Sequence, residues 1–286
     1  MEISKTHIHF VLPGGGVNGA FQAGFLYRLF KDCYDKIIID RIDGISVGAL
    51  NGLAIILEDI EFIKSIWYYI EDRDTVFNSH STNSEIWYKG SIYDNVGLRN
   101  LIYMHKDFIK KEELEKYNCV VHNCTTQTYE YINGIKENLF EFIIASASPP
   151  FISPYLKIDE TFYSDGCLDQ IYPIDNLMQK DLEQIKIENN TNNDTHNVQN
   201  KINLVIGYYE NNNYYLFNIY KTFKKNIYNN NIDIQKLIDS NKIITINNPC
   251  FYNLIDFSRE NIENGFNLGE KAAIEFYNTH ILKVNR

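Results

Sequence analysis

Ser46 stands with a glycine two residues to each side, in Gly44-Ile45-Ser46-Val47-Gly48. An apolar run, Ile37 to Ile42, leads into this pentapeptide, and a helix-forming run from Gly48 to Leu57 leads out of it. A serine at such a strand-to-helix junction has the pattern of a nucleophile elbow. The turn is sharp, so its neighbours dispense with a β-carbon while the central hydroxyl is pushed outward. The helix that follows aims unpaired N–H groups at whatever the hydroxyl attacks, which favours negative charge there. A buried helix start holding one serine and two glycines carries the same letters, so the pentapeptide alone does not decide.

Upstream, His7 to Leu12 reads as a strand, followed by Pro13-Gly14-Gly15-Gly16-Val17-Asn18-Gly19 and a helix over Ala20 to Phe30, apolar at Phe21, Phe25, Leu26 and Leu29. Four glycines in six positions exceed the need of a plain tight turn. Strand, glycine loop and helix together form an anion cradle of outward-facing amides. Two chemistries fit it. Gly14, Gly16 and Gly19 satisfy a dinucleotide fingerprint, with Asp40 or Asp43 at a suitable distance to hold a ribose. Alternatively, the amides of Gly14, Gly15 and Gly16 hold the oxyanion of an acyl-transfer intermediate. The second strand favours the oxyanion. It does not end in the acid and an ordinary loop but runs straight into the Ser46 pentapeptide. Adjacent parallel strands would bring both turns to one edge of a sheet.

A third feature is Asp165, in Ser164-Asp165-Gly166 after two short extended runs, Tyr155 to Ile158 and Thr161 to Ser164. A carboxylate at a strand end beside a glycine is well sited for a general base, although Asp-Gly is also the commonest of turn dipeptides.

The rest of the chain must position these groups. Its 286 residues suffice for one α/β domain with a large core. With 44% hydrophobic and 22% charged residues it reads as an ordinary globular protein. A net charge of −10 argues against a nucleic-acid partner and offers no attraction to an anionic membrane, so lipid contact would have to be apolar or local. The abundant Tyr and Phe fit a biased composition rich in Tyr, Asn, Ile and Lys better than an aromatic lipid platform. Five cysteines without a C-x-x-C pair support neither a zinc site nor a disulfide framework, and reduced thiols of a cytosolic protein fit best. With no apolar leader, no run of 18 apolar residues and no lipidation motif, the chain is expected inside the cell, cytoplasmic or peripherally attached to a membrane.

Helices are expected over 58–70, over Asp94 to Met104 with Asp94 as N-cap, over Leu139 to Ser148, and over Asn261 to Leu282. Residues 71–90 read as a surface loop. Strands are expected over 118–125, 127–132, 202–208 and 242–246, with His122 as a structural histidine. An Asn-rich stretch at about 188–201 reads as a flexible insertion in a single domain spanning 1–286.

Taken in order, the Gly14–Gly19 loop, the Gly44–Gly48 elbow followed by Ala49-Leu50-Asn51, and Asp165-Gly166 resemble the patatin-like phospholipase family. Ala145-Ser146-Ala147-Ser148-Pro149-Pro150 resembles its segment leading to the aspartate. The resemblance covers roughly Ile8 to Pro173. It implies a three-layer α/β/α sandwich with a mainly parallel sheet and a metal-free, cofactor-free lipid acyl hydrolase. Ser46 is then the nucleophile, Asp165 the proton acceptor and Gly14–Gly16 the oxyanion hole, with Gly19, Gly44, Gly48 and Gly166 supporting the turns. The implied partner is a lipid or phospholipid ester presented at a membrane or micelle surface. Two positions depart from the family: Asn18 stands where Arg or Lys is usual, and Cys167 where Gly or Ala is usual. The alternatives are a Ser-His-Asp esterase using a late histidine such as His280, a dinucleotide-binding protein, and an inactive relative that only binds.

Overall fold

The computed structural model describes residues 5–57, 60–79, 90–104, 113–168, 171–175, 177, 201–208, 231–240, 242–250 and 252–282. Apart from Lys201, the Asn-rich insertion lies outside the described residues.

The chain opens with two strand-to-helix units. β1 (Thr6–Leu12) passes through the glycine loop into α1 (Gly19–Cys33), and β2 (Ile37–Ile45) turns at Ser46 into α2 (Val47–Ile56). After α3 (Ile60–Tyr69), α4 (Arg73–Val76), β3 (Asn78–Ser79), β4 (Tyr93–Asp94) and α5 (Val96–Tyr103), the chain re-enters the sheet with β5 (Tyr117–Asn123) and β6 (Thr128–Asn133). Then come α6 (Leu139–Ser146), the hairpin of β7 (Leu156–Ile158) and β8 (Thr161–Asp165), and β9 (Lys201–Tyr208). α7 (Asn231–Asp239), β10 (Ile244–Asn247) and α8 (Arg259–Phe276) follow, and a π-helical turn over Tyr277–Ile281 continues α8.

The main sheet has eight strands in the order β10-β9-β1-β2-β5-β8-β7, with β6 also on β5. β10, β9, β1, β2 and β5 run parallel, β6 and β8 pair antiparallel with β5, and β7 pairs antiparallel with β8. β1 lies where the strand order reverses. The carboxyl ends of β1 and β2, bearing the glycine loop and Ser46, therefore open on a crevice of the kind that binds ligands in such sheets.

Side-chain alternation builds two cores. Phe10 and Leu12 of β1 and Leu204 and Ile206 of β9 turn to the face covered by α1, α2 and α8. Val11 and Val205 turn to the opposite face, where Leu237 of α7 and Ile171, Tyr172 and Ile174 cover them. The result is the expected three-layer α/β/α sandwich. Burying each large apolar side chain contributes about 1.5–3 kcal/mol, and Phe10, Phe21, Phe25, Phe30 and Phe266 are all fully buried.

One pairing positions the site. β6 occupies a whole edge of β5, from Asn118 to Asn123. β2 and β8 therefore share the other edge, β2 opposite Tyr117–Val120 and β8 opposite Val121–Asn123. Their carboxyl ends meet, with Ile45 opposite Val120 and Asp165 opposite Val121.

Two local expectations are corrected. Asp94 is not the N-cap of α5; Asn95 holds that position. Pairing with Asn78 fixes Asp94 in a short ladder, and its carboxylate instead accepts the Asn95 amide at 2.7 Å. Residues 71–90 are not simply loop either, because α4 and β3 lie within them. Asp72 caps α4 by accepting the Thr75 amide at 3.0 Å. The remainder, 80–89, lies outside the described residues.

Candidate active site

Ser46 has φ 54° and ψ −126°, a conformation that costs a non-glycine residue about 1–3 kcal/mol. Packing on both sides holds it there. The Ser46 amide donates to Ser146 Oγ at 2.9 Å, and that hydroxyl donates to the Val120 carbonyl at 2.7 Å. On the far side, a β-carbon at Gly48 would collide with the Leu12 and Pro13 carbonyls, so only glycine lets α2 start directly above the end of β1. Gly44 in turn abuts the backbone of Gly48 and Ala49.

Asp165, at the end of β8, is 2% exposed. Its amide donates to the Ser148 carbonyl at 3.1 Å, and its Oδ1 accepts the Cys167 amide at 2.9 Å. The Ser46 hydroxyl and the carboxylate line the same crevice, near enough for the hydroxyl to favour the charged form. Burial pushes the Asp165 carboxyl up to about 6, against the Cys167 amide, the Ser46 hydroxyl and the Cys167 thiol, which hold it down. Gly166 passes close under the Val120 carbonyl.

The glycine loop closes the third side. Gly15 and Gly16 line the same crevice as Ser46 and Asp165. Gly16 has φ +54° and presses on the Leu254 carbonyl, which also accepts the Val17 amide at 3.0 Å. Gly14 packs closely against the sulfur of Cys167, and Gly19 begins α1 against Val47. Asn18 is a neutral clasp: its amide donates to the Gly15 carbonyl at 3.1 Å and the Tyr252 carbonyl at 3.2 Å, and its Oδ1 accepts the Tyr252 amide at 3.0 Å. A further chain of bonds supports the loop. Trp67 donates to Asn51 at 3.0 Å, Asn51 to Gln22 at 3.3 Å, and Gln22 to the Pro13 carbonyl at 2.7 Å.

From Ser46 an apolar crevice of about 1160 Å³, counting its open mouth, extends between α2, α3, α5 and the loop after α6. Leu53, Ala54, Trp67, Leu98, Leu101 and Phe257 are among its walls. Asp165 is the one ionised-type carboxyl among the described lining residues, and no Lys, Arg or His is among them.

The two acids weighed for a ribose are engaged elsewhere. Asp40 pairs with His7 at 2.7 Å and Lys201 at 3.2 Å. Asp43 is fully buried among His9 at 2.9 Å, Arg41 at 2.9 Å and Asn118 at 3.0 Å. His280 packs on Phe276, with ring centroids 5.1 Å apart, and is not among the residues lining the crevice. None of the five cysteines forms a disulfide. Among the described residues there is no metal-ligating cluster and no helix long and apolar enough to cross a membrane.

Sequence reading missed the supporting roles of Ser146, Ser148 and the Tyr252–Leu254 segment. Two serines spaced by one small residue just before Pro149-Pro150 were the available signal for the first pair. Nothing local marks the third.

The fold is thus an α/β/α sandwich with a strained serine and a glycine loop at adjacent strand ends. The patatin-like phospholipase family model matches residues 10–178, and the chain belongs to that family, whose members are lipid acyl hydrolases. The fold is also similar to the crystal structure of VipD from Legionella pneumophila, with a TM-score of 0.48 at 11% identity over 97% of this chain and 67% of that one. A search of curated proteins found no match.

Proposed function

We propose that the chain hydrolyses the carboxylic ester of a lipid through a Ser46–Asp165 dyad, as a phospholipase A or lysophospholipase-like enzyme. The observation that carries this reading is that one buried hydroxyl and one buried carboxylate line the same apolar crevice, walled by Gly15 and Gly16. Ionised Asp165 takes the Ser46 proton as Ser46 Oγ attacks the ester carbonyl. The amides of the glycine loop, with Gly15 and Gly16 nearest the crevice, hold the developing oxyanion. Collapse of the tetrahedral intermediate expels the alcohol, which takes the proton from Asp165 and leaves an acyl-serine. Water then attacks the acyl group and gives its proton to Asp165. The second collapse releases the fatty acid and returns the proton to Ser46, so each cycle consumes one ester and one water.

Burial serves the base. A carboxylate at its ordinary value near 3.9 is a weak base at neutral pH, and one raised to about 6 is better matched while still ionised above that pH. The apolar crevice supports an acyl chain as the group bound beside Ser46, and a net charge of −10 leaves apolar contact as the means of docking on anionic lipid. The test is hydrolysis of a p-nitrophenyl ester and a phospholipid by purified wild type, Ser46→Ala and Asp165→Asn. The proposal requires both variants to lose turnover while retaining the wild-type circular dichroism; retained turnover by Ser46→Ala would overturn it.

A further inference from the structure

We propose that Asn18 is a positioning residue that fixes the Gly15–Gly16 peptide with its carbonyl away from the oxyanion and its N–H toward it. Residues 252–254, beyond the part of the chain that the family model matches, hold Asn18 for this task. The inference rests on the reading of the glycine loop as the oxyanion hole, and adds to it the side chain that sets the loop's orientation.

The need for such a residue comes from the glycines themselves. A peptide unit between two glycines turns over easily, because neither neighbour has a β-carbon to oppose the new angles. With Gly15 at ψ 9° and Gly16 at φ +54°, backbone preference does not choose between the two orientations. The reversed one would put the Gly15 carbonyl where the Gly16 N–H should be, and a carbonyl repels the oxyanion that an amide holds. Asn18 makes the choice. Its side chain donates to the Gly15 carbonyl at 3.1 Å, and its backbone amide donates to the same oxygen at 3.1 Å. In a planar trans peptide the C=O and N–H point in opposite directions, so pinning the Gly15 carbonyl aims the Gly16 N–H the other way.

Asn18 is itself locked. It is 2% exposed, its Nδ2 also donates to the Tyr252 carbonyl at 3.2 Å, and its Oδ1 accepts the Tyr252 amide at 3.0 Å. The Asn248 side chain donates to the Asn18 carbonyl at 3.4 Å while its Oδ1 accepts the Cys250 amide at 2.9 Å. The Leu254 carbonyl accepts the Val17 amide at 3.0 Å and fills the space a β-carbon at Gly16 would need. Gly15, Gly16 and Leu254 line the crevice, and Asn18 is not among the described lining residues. Asn18 therefore acts through the Gly15–Gly16 peptide and not on the substrate.

The experiment measures kcat and KM for p-nitrophenyl butyrate on the full chain, Asn18→Ala, Asn248→Asp and Ser46→Ala. It also measures Ki for two ketones carrying the same acyl chain. In the trifluoromethyl ketone, Ser46 Oγ bonds to the carbonyl carbon, the carbonyl π pair moves to oxygen and the hydroxyl proton passes to Asp165, which leaves an oxyanion for the loop to hold. The methyl ketone binds without addition. Asn18→Ala is expected to lower kcat about 10–100-fold with KM within about twofold. It should weaken the trifluoromethyl ketone by the same factor as kcat/KM and leave the methyl ketone unchanged, whereas a loosened fold would weaken both. Asn248→Asp keeps the bond to Cys250 and loses the donor to Asn18, and should show the same pattern at about two- to fivefold. Wild-type kcat in Asn18→Ala, or equal weakening of both ketones, would overturn the assignment. Should Asn18→Ala fail to fold, the ratio of the two ketones in Asn248→Asp decides. Turnover by Ser46→Ala, or equal affinity of the wild type for the two ketones, would instead remove the reading on which the inference stands, so the two failures are distinguishable.

Discussion

Ile45 and Asp165 face neighbouring residues on one edge of β5, Val120 and Val121, whose Cα atoms are about 3.8 Å apart. β2 and β8 thus abut end to end, one arriving parallel and the other antiparallel. The chain leaves β2 through Ser46, whose positive φ turns its hydroxyl toward the carboxylate at the end of β8. A hydroxyl and a carboxylate far apart in sequence are brought together by the sharing of one strand edge. Ser146 reinforces the junction by bonding to both the Ser46 amide and the Val120 carbonyl.

The first prediction concerns the pH dependence of turnover. Asp165 accepts a proton only when ionised, and its carboxyl sits at about 6. For a short soluble ester, kcat/KM should rise with pH through an apparent value near 6 and level off above it. An acid limb centred near the ordinary aspartate value would count against a buried base.

The same group makes stability depend on pH, with a defined sign. Its folded value, about 6, lies above the ordinary 3.8, so the unfolded chain releases this proton first. The contribution of Asp165 to stability is therefore greatest below about pH 4, is lost as pH rises to about 6, and remains lost above that. Asp165→Asn removes the penalty and should stabilise the protein at pH ~8 by about 2–3 kcal/mol relative to its effect at pH ~4. Denaturant unfolding at the two pH values checks this; an equal effect at both would contradict it.

Ser146→Ala should impair both rate and stability. It leaves the buried Ser46 amide and Val120 carbonyl without the hydroxyl that joins them, at a cost of about 1–3 kcal/mol per unsatisfied group. The elbow loses its brace, so kcat should fall about tenfold or more. Thermal melts and steady-state kinetics measure the two effects. A variant with wild-type kcat would show that the brace is dispensable.

Chain-length selectivity tests the crevice. Ala54 lines it from α2, and at 1.5 Å rise per residue lies about 12 Å along the helix from Ser46. Ala54→Phe should leave p-nitrophenyl butyrate turnover within a few-fold of wild type and suppress that of the palmitate. Equal loss on both esters would mean that the acyl chain does not run along α2.

Much of this arrangement is legible in the sequence because it is local. The glycine loop and the Ser46 pentapeptide each lie where a strand passes into a helix, and the backbone crowding that demands glycine at Gly16 and Gly48 is written at those positions. The β7–β8 hairpin and its terminal Asp165 are local too. The shared edge of β5 is not, since whether β8 pairs beside β2 or beyond it depends on how far β5 outlasts β2. Nor is the clasp between Asn18 and Tyr252, which joins opposite ends of the chain and has no periodicity or turn signal. The misplaced cap at Asp94 has the same origin, because pairing between Asn78 and Asp94 overrides a local capping preference. Asp40 and Asp43 show the converse, as spacing allowed a ribose ligand and tertiary ion pairs engage both carboxylates elsewhere.

The most direct measurement is labelling of the full chain with a fluorophosphonate, followed by mass-spectrometric mapping of the adduct. The account predicts a single adduct on Ser46, absent from Ser46→Ala and strongly slowed in Asp165→Asn. An adduct on another residue, or undiminished labelling of Ser46→Ala, would contradict it.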